Sequence, residues 1–157
     1  MEKLSFDNGI KEYEVNGKEI LRFNPSDPNV YNRFLEISEE LPRLEEEYEK
    51  AAEQLKANAA DSDGTESGKE AIKLLGQIDA KVKERLSYVF GAENDFDRIL
   101  GGVSIMAVGE NGERVVTNVF AALGPLIEGG VQSYRTDAAA KAVAAAKQNR
   151  EQRRAAK

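Results

Sequence analysis

Between Pro28 and about Asn58 the apolar residues fall at Val30, Phe34, Ile37, Leu41, Leu44, Tyr48, Ala51 and Leu55. Those steps alternate between 4 and 3 and draw one stripe along a long helix. A helix of that length reaches ~45 Å, so the stripe needs cover from the rest of the chain. A second stripe, Ile72, Leu75, Ile78, Val82, Leu86 and Val89, predicts another helix over 69–90, with Gly91 as its C-cap. Between them, Asp61–Gly68 (DSDGTESG) reads as a polar turn in which Thr65 or Ser67 could cap the second helix. Two long helices joined by so short a turn form an antiparallel hairpin. The same stripes could instead pair between chains as a coiled coil.

Ahead of the first helix the period changes from helical to alternating. Leu4 and Phe6 alternate with polar neighbours, Asn8-Gly9 offers a turn, and Glu12–Val15 alternates again. Asn16-Gly17 offers a second turn, and Lys18–Phe23 closes the set. Asn-Gly suits a type I′ turn because both central residues need positive φ, so residues 3–23 are expected to form a three-stranded antiparallel meander. So small a sheet must lay one face on a helix to be stable. Asp27 is then a suitable N-cap and Pro28 a suitable first helical residue. Pro42 removes a backbone hydrogen bond inside the first helix, which predicts either a kinked helix or two nearly collinear ones.

Beyond Gly91 the elements are shorter. Asn94 or Asp95 starts a brief helix carrying Phe96, Ile99 and Leu100, ended by Gly101-Gly102. Residues 103–108 are apolar but too few to separate strand from buried helical turn. After a turn at 109–112, Val115, Val116, Val119, Phe120, Leu123, Leu126 and Ile127 give a helical pattern, interrupted at Gly124-Pro125 and ended at Gly129-Gly130. The expected fold is therefore mainly α with a small N-terminal antiparallel β-meander (α+β): a long helical hairpin plus shorter C-terminal helices. Residues 1–130 form one domain, divided as 3–23, 28–90 and 94–130. Residues 131–157 form a basic Ala-rich tail, and within 137–157, mostly Ala, Lys, Arg and Gln, Val143 is the only sizeable apolar group. They read as a flexible tail that becomes helical on a partner.

Composition narrows the chemistry. The chain of 157 residues has no Cys, His or Trp, which excludes disulfides and thiolate metal sites and removes the usual general base. No apolar run is long enough to span a membrane, and the lack of an apolar leader places the expected location in the cytoplasm. The net charge of −6 is unevenly spread. From Arg135 onward seven basic residues face only Asp137 and Glu151, a net of +5, so residues 1–134 carry −11. The acidic run Glu39, Glu40, Glu45, Glu46, Glu47 and Glu49 is a solvated helix face.

Candidate motifs do not survive inspection. Gly64–Lys69 (GTESGK) is one residue short of a phosphate-binding loop, with Glu70 where a hydroxyl should hold Mg²⁺. Asp61 and Asp63 open like a calcium loop, but Glu66 and Ile72 replace the required Gly and bidentate Glu. No catalytic, cofactor-binding or metal-ligating residue is assigned, and no cofactor is expected. The partner-binding candidates are Lys147, Arg150, Arg153 and Arg154 in the basic tail. They could neutralise phosphates, but no aromatics are interleaved for base stacking. A docking segment for an acidic protein is the better reading.

One resemblance adds to this. The opening Tyr13–Ile20 (YEVNGKEI), the acidic helices, Val89–Phe96 (VFGAENDF), the helix ending in Ala122–Ile127 (ALGPLI) and the charged C-terminus together resemble tail assembly chaperones of long-tailed bacteriophages, as encoded by prophages of Gram-positive bacteria. The resemblance implies a non-enzymatic protein that binds the tape measure protein and keeps it soluble until tail tube subunits polymerise around it. It also implies absence from the mature virion, and a longer frameshifted product that recruits the tube protein. The alternatives are a generic helical-hairpin adaptor or oligomeric scaffold, and, less favoured, a nucleic-acid-binding protein acting through its tail.

Overall fold

The computed structural model describes residues 1–59 and 65–155. It contains strands β1 (Lys11–Val15) and β2 (Glu19–Phe23), followed by helices α1 (Pro28–Ala59), α2 (Thr65–Phe90), α3 (Phe96–Ile99) and α4 (Val115–Ala155). This is a mainly helical α+β architecture with a two-stranded antiparallel sheet at its start.

The hairpin reading holds. Arg33 of α1 lies 5.0 Å from the Tyr88 ring of α2, and further along α1 Glu40 accepts from Arg85 at 2.6 Å. Partners that rise along α1 fall along α2, so the two run antiparallel. Along the α1 stripe Val30, Ile37, Leu44 and Ala51 are buried, while Phe34, Leu41 and Tyr48 pack half-buried against the same core. That core also holds Ile78, Val82, Leu86 and Val89 of α2. Each fully buried aliphatic side chain there stabilises the fold by about 1.5–3 kcal/mol. The α2 stripe departs from expectation at one end, where Ile72 is exposed and Ala71 is buried instead. The polar turn expected at 61–68 falls largely outside the described residues.

α4 covers the other side of α1. Phe34 and Phe120 tilt against each other at 4.9 Å between centroids, and Arg114, just before α4, lies 5.0 Å from the Tyr48 ring and pairs with Glu49. Gly130 meets Pro25, two residues ahead of Asp27. These contacts make α4 antiparallel to α1 as well, so α1 is sandwiched between two neighbours. Val116, Leu123 and Ile127 are the buried residues of this face.

Both prolines sit inside unbroken helices. α1 continues through Pro42 as one helix, not two, and α4 continues through Gly124-Pro125. Pro42 and Pro125 are exposed, as is Ala121, whose carbonyl loses its partner to Pro125. Each missing bond therefore opens toward water, while Ile37 and Leu44, or Leu123 and Ile127, hold the same core on either side. Nor do Gly129 and Gly130 end α4, which runs on to Ala155 and is the longest helix rather than a short one. Each Gly costs about 1 kcal/mol in a helix interior, and the Ala-rich continuation sustains the helix across both.

The expected third strand is also absent: among the described residues the sheet has two strands. At Asn16-Gly17 both residues have positive φ (52° and 74°), and the β1–β2 hairpin forms as anticipated. At Asn8-Gly9 only Gly9 does, at 72°. There the Asp7 and Asn8 side chains accept from the Gly9 and Ile10 backbone N–H groups at 2.8 and 3.1 Å. Local Asx turns thus take the place of a hairpin. Residues 103–108 are neither strand nor helix: Ile105 and Met106 are buried in a turn, and Val108 bridges singly to Arg114.

The sheet lays its inner face on the end of the hairpin through a chain of rings. Tyr13 stacks on Phe23 at 5.1 Å, Phe23 meets Phe90 edge-on at 4.9 Å, and Phe90 tilts against Phe96 at 5.6 Å. Such pairs add about 0.5–1.5 kcal/mol each beyond burial.

Candidate functional site

Three places on the molecule carry polar groups in unusual number. The first is a cleft of about 510 Å³ where Asn8 and Ile10 approach β2, the start of α1 and the end of α2. Apart from the exposed Glu93, its charged and polar side chains are already engaged. Arg22 donates to Glu12 at 2.9 Å, Arg33 lies over Tyr88, and Asp27 Oδ1 caps α1 by accepting from the Asn29 N–H at 2.9 Å. Asn94, 3% exposed, joins β2 to the end of α2. Its Oδ1 accepts from Arg22 N at 2.9 Å, while its Nδ2 donates to Arg22 O at 2.8 Å and to Phe90 O at 2.9 Å. One side chain thereby pairs with β2 as a neighbouring strand would and closes the C-terminus of α2. Gly91, at φ 114°, supplies the turn that aims it there.

The second place is the Lys83 ion pair, beside a depression of about 410 Å³. Lys83 is buried, and its Nζ donates to Asp97 Oδ1 at 2.6 Å and to Asp79 Oδ2 at 2.9 Å. Asp79 Oδ1 also accepts from Ile105 N at 2.7 Å. This triad ties α2 to α3 and to the 103–107 loop. Burial alone would pull the Lys83 ammonium down, but hydrogen bonds and charge from Asp97 and Asp79 outweigh it and hold the group above its usual value. A lysine nucleophile needs the opposite shift. This amine is a structural cation.

The third place is the far half of α4. All four partner-binding candidates, Lys147, Arg150, Arg153 and Arg154, lie on it and are exposed. At about 100° per residue they fall within an arc of roughly 120°, and Val143, 55% exposed, shares that arc. Every described side chain from Gln132 onward is exposed. Because Gly130 stands level with Pro25, residues 131–155 carry the helix roughly 37 Å past the start of α1.

The residues that sequence reasoning missed are those whose roles depend on distant backbone. Asn94 was visible only as a possible helix cap, and the cap is in fact Asp95, which accepts from the Asp97 and Arg98 N–H groups. Lys83 carries no signal in the sequence beyond its i,i+4 spacing from Asp79, and its second partner, Asp97, lies 14 residues on. No helix among the described residues is long and apolar enough to cross a membrane. Comparison with known proteins found no matching family model, no similar curated protein and no similar solved structure.

Proposed function

We propose that this protein works by holding a partner rather than by transforming a substrate, and that it is a tail assembly chaperone of the long-tailed phage type. In this reading it is not an enzyme. It acts in the host cytoplasm on the tape measure protein, with the tail tube protein as a second partner, and it is absent from the finished virion. The observation that carries the reading is the helical extension of α4, which presents Lys147, Arg150, Arg153 and Arg154 beyond an acidic body. A basic helix of that length offers a ladder of charge to acidic stretches of a long helical client, while the net charge of −11 on residues 1–134 keeps the complex in solution. The groups that could have suggested chemistry, Lys83 with Asp79 and Asp97, are spent on holding α3 in place.

The same body would serve a generic adaptor or scaffold, and co-expression separates the two. With the tape measure protein encoded beside it, the full chain should move that client into the soluble fraction, and a chain lacking residues 131–157 should not. A client that stays equally insoluble with and without the protein would refute the chaperone reading. Nucleic-acid binding through the tail is disfavoured by the acidic body. It would instead give retention on DNA that falls steeply with salt.

A further inference from the structure

The alternation of Leu4 and Phe6 predicts a strand that has no seat in its own chain. Leu4 is 89% and Phe6 77% exposed, and no strand includes them. The reason lies in the next few residues. The Asn8 carbonyl accepts from Asn24 Nδ2 at 3.0 Å, and Gly9 packs so tightly on Asn24 that a Cβ would come within 2.5 Å of it. Asn8 and Ile10 line the cleft together with Arg22 and Asn94, on the β2 side of the sheet. The chain upstream of Ile10 is therefore led away from β1.

The outer edge of β1 is left open as a consequence. In an antiparallel ladder the residues of alternate pairs point their backbone groups inward and outward together. The N–H and C=O of Arg22 point outward, to Asn94, and Arg22 pairs with Glu12. Glu12, and by the same alternation Glu14, must then point their N–H and C=O groups away from β2. Among the described residues nothing pairs with that edge.

We infer that residues 1–6 are an exchanged arm: the Leu4–Phe6 segment of one chain adds as a third strand to the open edge of β1 in a second copy. The two surfaces fit on both faces. With Leu4 and Phe6 on the inner face, they extend the half-buried Tyr13 and Val15. The alternate residues Lys3 and Ser5 then lie on the outer face, where β1 presents the carboxylates of Glu12 and Glu14. Glu12 is already paired with Arg22, so Glu14 is the carboxylate that repels another acidic edge and accepts an arm bearing Lys3. Because each copy offers one arm and one edge, the exchange closes as a dimer about a two-fold axis. The inference does not depend on the chaperone reading, since its assay contains no client.

The test uses the full chain at micromolar and higher concentrations. Sedimentation equilibrium should give twice the 17.3 kDa chain mass for the wild type. The double variant Leu4→Glu/Phe6→Glu should give the single mass with unchanged helicity, because both side chains are exposed within one chain, and its melting midpoint should lose the rise with protein concentration that the wild-type dimer shows. The chain has no cysteine, so contact can also be read covalently. Ser5→Cys chains mixed with Glu12→Cys or Glu14→Cys chains should yield a disulfide-linked pair in greater amount than any of the three variants alone. A wild type that remains a single chain throughout, a double variant that remains a dimer, or mixed chains that cross-link no better than the separate ones would each overturn the arm.

Discussion

Asn94→Ala offers the sharpest test of how the sheet is fastened to the helices. The truncation removes three hydrogen bonds and leaves Arg22 N–H, Arg22 C=O and Phe90 C=O without their partner. A buried group so orphaned costs about 1–3 kcal/mol. The adjoining cleft admits water to part of the site, so the total falls below a plain sum, at about 3 kcal/mol. For a chain of this length that lowers the melting midpoint by roughly 6–12 °C. Urea unfolding followed by far-UV circular dichroism would measure it, and an unchanged slope would show that the loss is one of stability alone. Asn94→Asp sharpens the result. It keeps an acceptor for Arg22 N–H but sets a carboxylate against two carbonyl oxygens, so its pKa is raised in the folded state. Its stability should therefore be lost as pH rises through that raised value and regained on acidification, a limb that Asn94→Ala lacks. An Asn94→Ala protein within about 0.5 kcal/mol of wild type would refute the argument.

Other expectations follow from single contacts. Gly130→Ala places a Cβ on the Pro25 carbonyl and 3.0 Å from Ser26 N, and should cost about 1–3 kcal/mol in thermal unfolding. Gly129→Ala, with nothing within 4 Å, should instead stabilise the helix by up to about 1 kcal/mol. Lys83 is raised above 10.5, so the stability it contributes is fully present below about pH 10.5 and is lost as pH climbs through the folded value. Lys83→Met should be less stable at neutral pH by about 2 kcal/mol and lack that alkaline decline in a pH series of denaturation midpoints. Removing residues 131–157 should lower mean helicity while leaving the melting midpoint of the body within about 2 °C, because the described side chains there are exposed.

What could be read in advance was whatever depends on period. The α1 stripe from Val30 to Leu55 lies at 3–4 residue steps and is covered along its length. Asp27 and Pro28 start the helix as their chemistry suggests. Punctuation was less transparent. Gly130 carries the same letter as a helix stop, yet in the fold it is a place where two backbones touch, and only the position of Pro25 distinguishes the two. Asn8-Gly9 and Asn16-Gly17 are identical dipeptides with different outcomes, because Asn24 clamps the first. Asn94 is the same case at longer range: its partner Arg22 lies 72 residues earlier, beyond any local pattern.

The unbroken course of α4 joins what its composition would divide. Its near half is gripped by α1, its far half stands clear, and Gly130 against Pro25 is the point between them. A helix resists bending over such lengths, so a load taken up at Arg150 or Arg154 is not absorbed along the way. It arrives as torque at that fulcrum, prising the near half from the Phe34–Phe120 contact or seating it more firmly, according to direction. Any partner held at the far end of α4 would thus also work a lever on the body that carries it.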